Sequence, residues 1–131
     1  INSSGDVYAT GQGSYYATGL NSTSTSLTYQ PTLTAGADGV ATAIACNARS
    51  SLVLTANGSV YAAGQKAYCG QGSADYLTTF TKITIGDGTV AVIKLFSFYS
   101  GYYALLSNGD LYYTNATTSA YTFTKVGNIT I

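Results

Sequence analysis

The sequence lacks several residue types on which catalytic and metal sites commonly depend. Its 131 residues include no His, Met, Trp or Glu, and five Asp balance five Lys and Arg to a net charge of zero. The absence of His and Glu excludes Ser-His-Asp, Cys-His, His-rich zinc and paired-Glu sites within this chain. With 8% charged residues, the chain has no electrostatic basis for binding nucleic acid or an acidic membrane surface. We therefore expect no enzymatic activity, no metal and no cofactor.

The residues that are abundant indicate a β-protein. Ser and Thr account for 34 positions, beside 13 Tyr, 15 Gly and a single Pro, a composition typical of strands joined by many turns. The longest apolar run, Val90 to Phe98, is interrupted by Lys94 and falls short of the ~18 residues of a membrane span. The sequence thus predicts no membrane-spanning segment.

An internal repeat runs through the chain. Val7–Gln12 recurs as Val60–Gln65, and Asn57–Tyr61 recurs as Asn108–Tyr112, so the period is about 50 residues, within the range of known structural repeats. So many identical residues at a nearly constant spacing are poorly explained by chance. The chain is therefore interpreted as an array of similar units.

Each repeat is predicted to form four antiparallel strands. The first strands, Val40–Cys46 and Val90–Phe96, are nearly continuous apolar runs, which predicts that both of their faces are covered. The pairs Asn57-Gly58 and Asn108-Gly109 predict type I′ turns between the second and third strands, since that turn needs positive φ at both central residues. Pro31 starts a fourth strand, an outer position where a missing N–H is tolerated.

A unit of this size matches one propeller blade, and its residues resemble a known family. Leu52–Gly64, followed by Tyr68, Gly70 and Gly72, is similar to the repeat of the regulator of chromosome condensation family. The resemblance covers nearly the whole chain and implies an all-β fold of four-stranded antiparallel propeller blades. It implies no activity, because the functional residues of the nuclear member, which exchanges nucleotide on a small GTPase, have no counterparts in this sequence.

The chain departs from the family pattern in places. Thr10 and Ala63 stand where the family commonly has Trp, and Ser50 stands where it commonly has His. In blades, residues 1–39 are predicted to end one blade, 40–89 and 90–127 to form two full blades, and 128–131 to begin another. The resemblance implies closed rings of about seven blades, so we expect open edges that promote association. The expected assembly edges are Val7, Tyr8, Asn128, Ile129, Thr130 and Ile131.

Five of the seven Asn residues lie in Asn-x-Ser/Thr triplets, where chance predicts about two. These are Asn2, Asn21, Asn57, Asn115 and Asn128. The excess favours a secreted glycoprotein, although a Ser/Thr-rich β-protein generates such triplets in any case and the predicted turn accounts for Asn57 by itself. Asn21 and Asn115, in predicted loops, are the better acceptors.

The two cysteines, Cys46 and Cys69, leave two alternatives open. A disulfide between them would suit an extracellular protein and contribute roughly 3 kcal/mol by loop entropy. Two buried thiols are the other reading, because Cys46 ends an inner strand as a small apolar residue would.

Three functions from different classes follow. The favoured one is a non-enzymatic structural glycoprotein of an extracellular fibre, wall or surface layer, which self-associates through its blade edges. The second is a protein- or glycan-binding module that forms part of a larger closed propeller, with outward members of the pairs Tyr15-Tyr16, Tyr102-Tyr103 and Tyr112-Tyr113 as contact residues. The third, an enzyme that uses Asp87 or Asp110, has the least support.

Overall fold

The computed structural model describes residues 1–34, 36–117 and 121–130, and these residues form an all-β protein. They contain ten strands in three antiparallel sheets of two, four and four strands. The strands are β1 (Val7–Gly11), β2 (Ser26–Leu33), β3 (Ala41–Cys46), β4 (Ser50–Thr55), β5 (Val60–Gln65), β6 (Tyr76–Ile83), β7 (Val92–Phe98), β8 (Gly101–Leu106), β9 (Asp110–Asn115) and β10 (Thr124–Asn128). Two 3-10 helices, Ser14–Tyr16 and Lys66–Cys69, follow β1 and β5, and no helix in the described ranges is long and apolar enough to cross a membrane.

The two larger sheets confirm the predicted four-stranded blades. The middle blade has the order β3-β4-β5-β6, and the last blade has the order β7-β8-β9-β10, each a simple antiparallel meander. β1 and β2 form the third sheet and correspond by sequence to β5 and β6. The first blade is therefore represented by its third and fourth strands.

The turn before β1 repeats the turn between β4 and β5. The Asn2 N–H donates to the Asp6 carbonyl at 2.9 Å, as the Thr55 N–H donates to the Ser59 carbonyl at 2.9 Å. The hairpin geometry that would join a second strand to β1 is thus already formed by the first six residues.

The Asn-Gly turns occur where they were predicted, but the prediction of type I′ geometry is wrong. Gly58 and Gly109 have φ values of 86° and 91°, whereas Asn57 and Asn108 are not among the residues with positive φ. The Gly58 N–H donates to the Thr55 carbonyl at 3.0 Å, which is the pattern of a type I turn followed by a left-handed glycine. The Asn57 Oδ1 accepts the Ser59 N–H at 3.1 Å and so holds the Asn side chain against its own turn.

The fourth strand of the last blade extends one residue beyond the predicted boundary. Asn128 is the last residue of β10 and pairs with Asp110. The Ile129 N–H then donates to the Gly109 carbonyl at 2.7 Å, as the Val92 N–H at the start of β7 donates to the Gly58 carbonyl at 3.1 Å, so a new first strand beginning here stays a prediction. Ile131, one of the predicted edge residues, lies outside the described ranges.

The main core lies between the middle and last blades. It is built from alternate residues of β4 and β5 on one side and of β8 on the other. The central members are Leu52, Leu54, Val60, Ala62, Tyr102, Ala104 and Leu106. Burying each large apolar side chain stabilises the fold by about 1.5–3 kcal/mol. A smaller cluster of Val7, Ala41 and Val53 joins the first blade to the opposite face of the middle blade.

A buried hydrogen bond crosses the main core. The Tyr102 hydroxyl lies 2.9 Å from the Ser50 Oγ, and both side chains are fully buried. Ser50 can give its one proton to the Asn47 Oδ1 at 2.9 Å, which leaves its lone pair for Tyr102. Burial raises the pKa of the Tyr102 hydroxyl above its ordinary value, so this group stays neutral.

The inner strands are less covered than their apolar sequences predicted. Ile44 on β3 is 54% exposed and Phe96 on β7 is 44% exposed, while their strand neighbours Ala45 and Leu95 pack on the main core. Alternation along a strand sends successive side chains to opposite faces. The uncovered face of β3 lies next to the first blade, which has no inner strands in the described residues.

Candidate functional site

β1 presents an unpaired edge within the part of the chain that the structure describes. It pairs with β2 on one side, whereas the equivalent β5 lies between β4 and β6. The edge includes Val7 and Tyr8, two of the residues predicted from the sequence. A free strand edge carries a row of N–H and C=O groups that favours the addition of another strand.

A groove of about 340 Å³ lies beside this edge. It is bounded by β1 and β2 on one side and by β3, β4 and β6 of the middle blade on the other. Residues that line it include Ala9, Thr10, Ile44, Cys46, Val53 and Phe80. Most of this surface is apolar, so the groove combines unpaired backbone groups with side-chain surface that an incoming strand would bury.

Thr18 at the wall of the groove has an unsatisfied hydroxyl. The residue is 7% exposed, and its Oγ1 has no hydrogen-bond partner in the structure as described. Its carbonyl accepts the Thr32 hydroxyl at 2.7 Å, so the backbone is held in place. A buried hydroxyl without a partner carries a penalty of about 1–3 kcal/mol.

The cysteines do not form a disulfide, which was one of the two alternatives left open by the sequence. Both are free thiols, Cys46 exposed in the groove and Cys69 buried in the main core. Cys46 follows Ala45 on β3, and alternation turns its side chain to the face opposite Cys69. Burial raises the pKa of the Cys69 thiol to about 12, so one thiol is accessible and the other is inert.

The five predicted glycosylation sites differ in the hydrogen bonds that their side-chain amides make. The Nδ2 atoms of four of them donate to side-chain oxygen atoms. The pairs are Asn2 to Asp6 at 3.4 Å, Asn57 to Asp38 at 2.9 Å, Asn115 to Tyr113 at 2.8 Å and Asn128 to Asp110 at 2.9 Å. Asn21 is exposed, has a φ of 54° in a turn, and makes no side-chain hydrogen bond in the structure as described.

Two carboxylates form structural ion pairs at the end of the strands where the Asn-Gly turns lie. Asp38 accepts hydrogen bonds from the Tyr61 hydroxyl at 2.6 Å and the Asn57 Nδ2 at 2.9 Å, and lies 3.2 Å from the Lys82 Nζ. These hydrogen bonds, that from Tyr61 foremost, lower the pKa of Asp38 to about 2. Asp110 pairs with the Lys125 Nζ at 2.8 Å, which lowers its pKa.

The third carboxylate with a lowered pKa, Asp87, is held within its own turn. The Asp87 carboxylate accepts the N–H and hydroxyl of Thr89 within its own turn, at 2.9 and 2.7 Å. In the described ranges, no group of three acidic or Cys side chains is placed to hold a metal ion. The perturbed carboxylates are thus explained by turns and strand pairing.

The geometry of the middle blade agrees with a sequence comparison. The family model of the regulator of chromosome condensation (RCC1) repeat matches residues 41–71, which run from β3 through the second 3-10 helix. The chain carries RCC1-like repeats. The resemblance found in Leu52–Gly64 is therefore confirmed for the middle blade, and the last blade repeats its strand order.

Solved structures show the same RCC1-like fold. Human WBSCR16 has 23% sequence identity and a TM-score of 0.74, and the match covers 92% of this chain and 34% of that one. Prp20p from Saccharomyces cerevisiae has 14% identity and a TM-score of 0.77 over 94% and 34% of the two chains. Yeast RCC1 (Prp20) in complex with Kap60 has 18% identity and a TM-score of 0.68 over 95% and 34%. No curated protein sequence gives a significant match.

The chain spans about a third of the length of these structures. At such identities the likeness concerns the fold. It places the RCC1-like blades side by side in a propeller arrangement, in which the groove beside β1 corresponds to the position of the first two strands of a blade. The sequence identified that edge from the repeat count but gave no sign of Ile44, Phe80 or Thr18 as its neighbours, because these residues come from three separate strands and loops.

Proposed function

We propose that this chain is a non-enzymatic propeller segment that binds protein by taking a pair of β-strands into the groove beside β1. The observation that carries the proposal is the unpaired edge of β1 beside the apolar groove. A docked strand would pair with the backbone of β1 and bury Ile44.

Repeat symmetry indicates what the occupant resembles. In the middle blade, β3 and β4 occupy the position that is open beside β1. A strand pair with the same alternation of small and aliphatic side chains would therefore fit the groove. It can come from a further segment of the same polypeptide or from a second molecule.

Two of the similar structures support a binding role. Prp20p was described with its binding properties to Gsp1p and histones, and yeast RCC1 (Prp20) was solved bound to Kap60. Each of those proteins is about three times as long as this chain, so their partners are not transferred. What they support is that propellers of this type work through protein association.

The test uses a synthetic peptide of residues 41–55 in which Cys46 is replaced by Ser. The readout is the rate at which a thiol reagent modifies Cys46 of the protein, since Cys46 lines the groove while Cys69 is buried and unreactive. We expect saturable protection of Cys46 by the peptide. A scrambled peptide of the same composition should give none.

Two matched variants locate the binding. Thr10→Arg places a charge in the groove, whereas Thr81→Arg places the same charge on β6, at an exposed position that does not line the groove. We expect the first to abolish protection and the second to preserve it. Equal protection in both variants, or none in the wild-type protein, would refute strand docking at β1.

A structural glycoprotein of an extracellular fibre, wall or surface layer, acting outside the cell or at its surface, is the second candidate. It is favoured by the exposed, unbonded amide of Asn21 within an Asn-x-Ser/Thr triplet, together with the open edge of β1. In that case the occupant of the groove is another copy of the chain. Electron microscopy of the purified protein should show filaments that Thr10→Arg prevents and Thr81→Arg leaves intact, and discrete monomers would reject this candidate.

A further inference from the structure

Arg49 lies against two tyrosine rings at the end of the blades opposite the Asp38 ion pair. It is the one Arg of the sequence, in the loop between β3 and β4. Its guanidinium carbon is 4.3 Å from the centroid of the Tyr15 ring and 5.1 Å from that of Tyr68. Tyr15 belongs to the first blade and Tyr68 to the middle blade, so the guanidinium bridges two blades through cation–π contacts.

The backbone around Arg49 is fixed by hydrogen bonds. The Asn47 Oδ1 accepts the Arg49 N–H at 3.1 Å, and the Gln65 N–H donates to the Arg49 carbonyl at 2.9 Å. The Asn47 Nδ2 also donates to the Tyr68 carbonyl at 2.9 Å, which ties this loop to the neighbouring 3-10 helix. The guanidinium is thus held in one place before any ligand arrives.

Most of the hydrogen-bonding capacity of Arg49 is unused. The Nη1 donates to the Gln65 Oε1 at 3.1 Å, and neither ion pair found among the described residues includes Arg49. A guanidinium has five N–H groups. Arg49 is half-buried, so a ligand can reach its remaining donors.

The neighbouring backbone is strained in a way that builds this arrangement. Tyr15 and Tyr16 have φ values of 63° and 60°, which are uncommon for aromatic residues. This conformation brings the Tyr15 ring onto Arg49 and sets both rings beside Tyr76, at centroid distances of 6.3 and 5.5 Å. Strain of this kind concentrates at functional sites.

We propose that Arg49, with Tyr15 and Tyr68, forms a receptor for a single carboxylate on an acidic side chain of a protein partner. The planar guanidinium matches a carboxylate through two parallel hydrogen bonds. A polyanion is disfavoured because the chain has zero net charge and a single Arg. A stacked sugar is disfavoured because the Tyr15 ring already contacts Arg49 and Tyr76. This site is separate from the groove and does not depend on the proposed strand docking.

The test follows the side-chain Nε–H signal of the protein by NMR, which is unambiguous because Arg49 is the only Arg. The probe is the blocked peptide acetyl-Gly-Phe-Glu-Phe-Gly-amide, and the control is the same peptide with Gln in place of Glu. We expect the Glu peptide to shift the signal in a saturable, salt-sensitive manner and the Gln peptide to leave it unchanged. Loss of a charge-assisted pair should weaken binding about 10- to 100-fold in Arg49→Gln, as measured by calorimetry.

Matched variants separate recognition from stability. Lys94→Gln also removes a positive charge next to an aromatic ring, since the Lys94 Nζ lies 5.3 Å from the centroid of Phe96, but it is remote from the site. It should bind the peptide like the wild type. Arg49→Lys retains the charge without the planar fork and should bind about tenfold more weakly; it serves as the second variant should Arg49→Gln fail to fold.

Three results would overturn the proposal. One is the absence of any Glu-dependent shift in the wild-type protein. Another is unchanged affinity in Arg49→Gln and Arg49→Lys, which would mean that the contacts of Arg49 with the two rings only join two blades. The third is binding of acetate or glucuronate as tight as that of the peptide, which would mean that the site takes any small carboxylate.

Discussion

Replacing Thr18 by Val tests whether the wall of the groove carries an unsatisfied hydroxyl. Val has the shape of Thr without the hydroxyl, and this hydroxyl is buried without a partner in the described structure. Removing it relieves a desolvation penalty of about 1–3 kcal/mol. We expect the chain to gain about 1 kcal/mol in the free energy of unfolding, at the lower end of this range.

A gain of that size is measurable by chemical and thermal unfolding. It corresponds to an increase of about 0.5 M in the urea midpoint and about 3–5 °C in Tm. Thr55→Val is the matched control, because the buried Thr55 hydroxyl bonds to the Asn57 Oδ1 at 3.0 Å and the Ser59 carbonyl at 3.1 Å. That variant should lose about 1 kcal/mol.

A loss of stability in Thr18→Val would refute this reasoning, because it would show that the hydroxyl already has a partner, such as a bound water. Binding of the strand peptide serves as a control for the groove itself. Because the Thr18 Oγ1 is closed to solvent, Thr18→Val should bind the peptide with the affinity of the wild type.

Three further predictions follow from the charged and reactive side chains. Because the pKa of Asp38 is about 2 in the folded chain, below its ordinary value of 3.8, its stabilising effect is complete above about pH 4 and is lost as the pH falls towards 2. Acid unfolding followed by circular dichroism should therefore be less steep between pH 4 and 2 for Asp38→Asn, while Asp75→Asn, on an exposed residue outside both ion pairs, should follow the wild type. A thiol reagent should titrate one group, Cys46, in the native protein and both cysteines in urea, and a count of zero under non-reducing denaturation would restore the disulfide. When the chain is secreted from a eukaryotic host, mass spectrometry should find a glycan at Asn21 that Asn21→Gln removes, and a bare Asn21 beside occupied sites elsewhere would contradict this assignment.

The blades were predictable because repetition amplifies a weak local pattern. A single run such as Leu52–Thr55 is compatible with several structures, but its recurrence at Tyr103–Leu106, each time before an Asn-Gly turn, fixes both the strand type and the order. The same alternation predicted that one tyrosine of the pair Tyr102-Tyr103 is buried, as the structure confirms. Local pairing rules reach this far without knowledge of packing.

Other features depend on which blade faces which. Cys46 ends β3 with its side chain in the groove, whereas Cys69 ends the second 3-10 helix and packs in the main core, and the sequence leaves this packing undefined. Arg49 has no recognisable motif, because its partners come from two helical turns that are far apart in the chain. The prediction of a type I′ turn was wrong for a related reason. An Asn-Gly pair is compatible with two turn types, and the hydrogen bonds that the Asn57 Oδ1 accepts select one of them.

The hydrogen bond between Ser50 and Tyr102 limits how the blades can be exchanged. Position 102 in the last blade corresponds to Ser51 in the middle blade, so a duplicated middle blade would bring a small side chain to the place of the Tyr102 ring. Loss of the large buried Tyr102 ring would leave a void, and the Ser50 hydroxyl would lose this hydrogen bond. Repeats with similar sequences are therefore adapted to particular neighbours. Engineered rearrangements of these blades must keep Ser50 and Tyr102 facing each other.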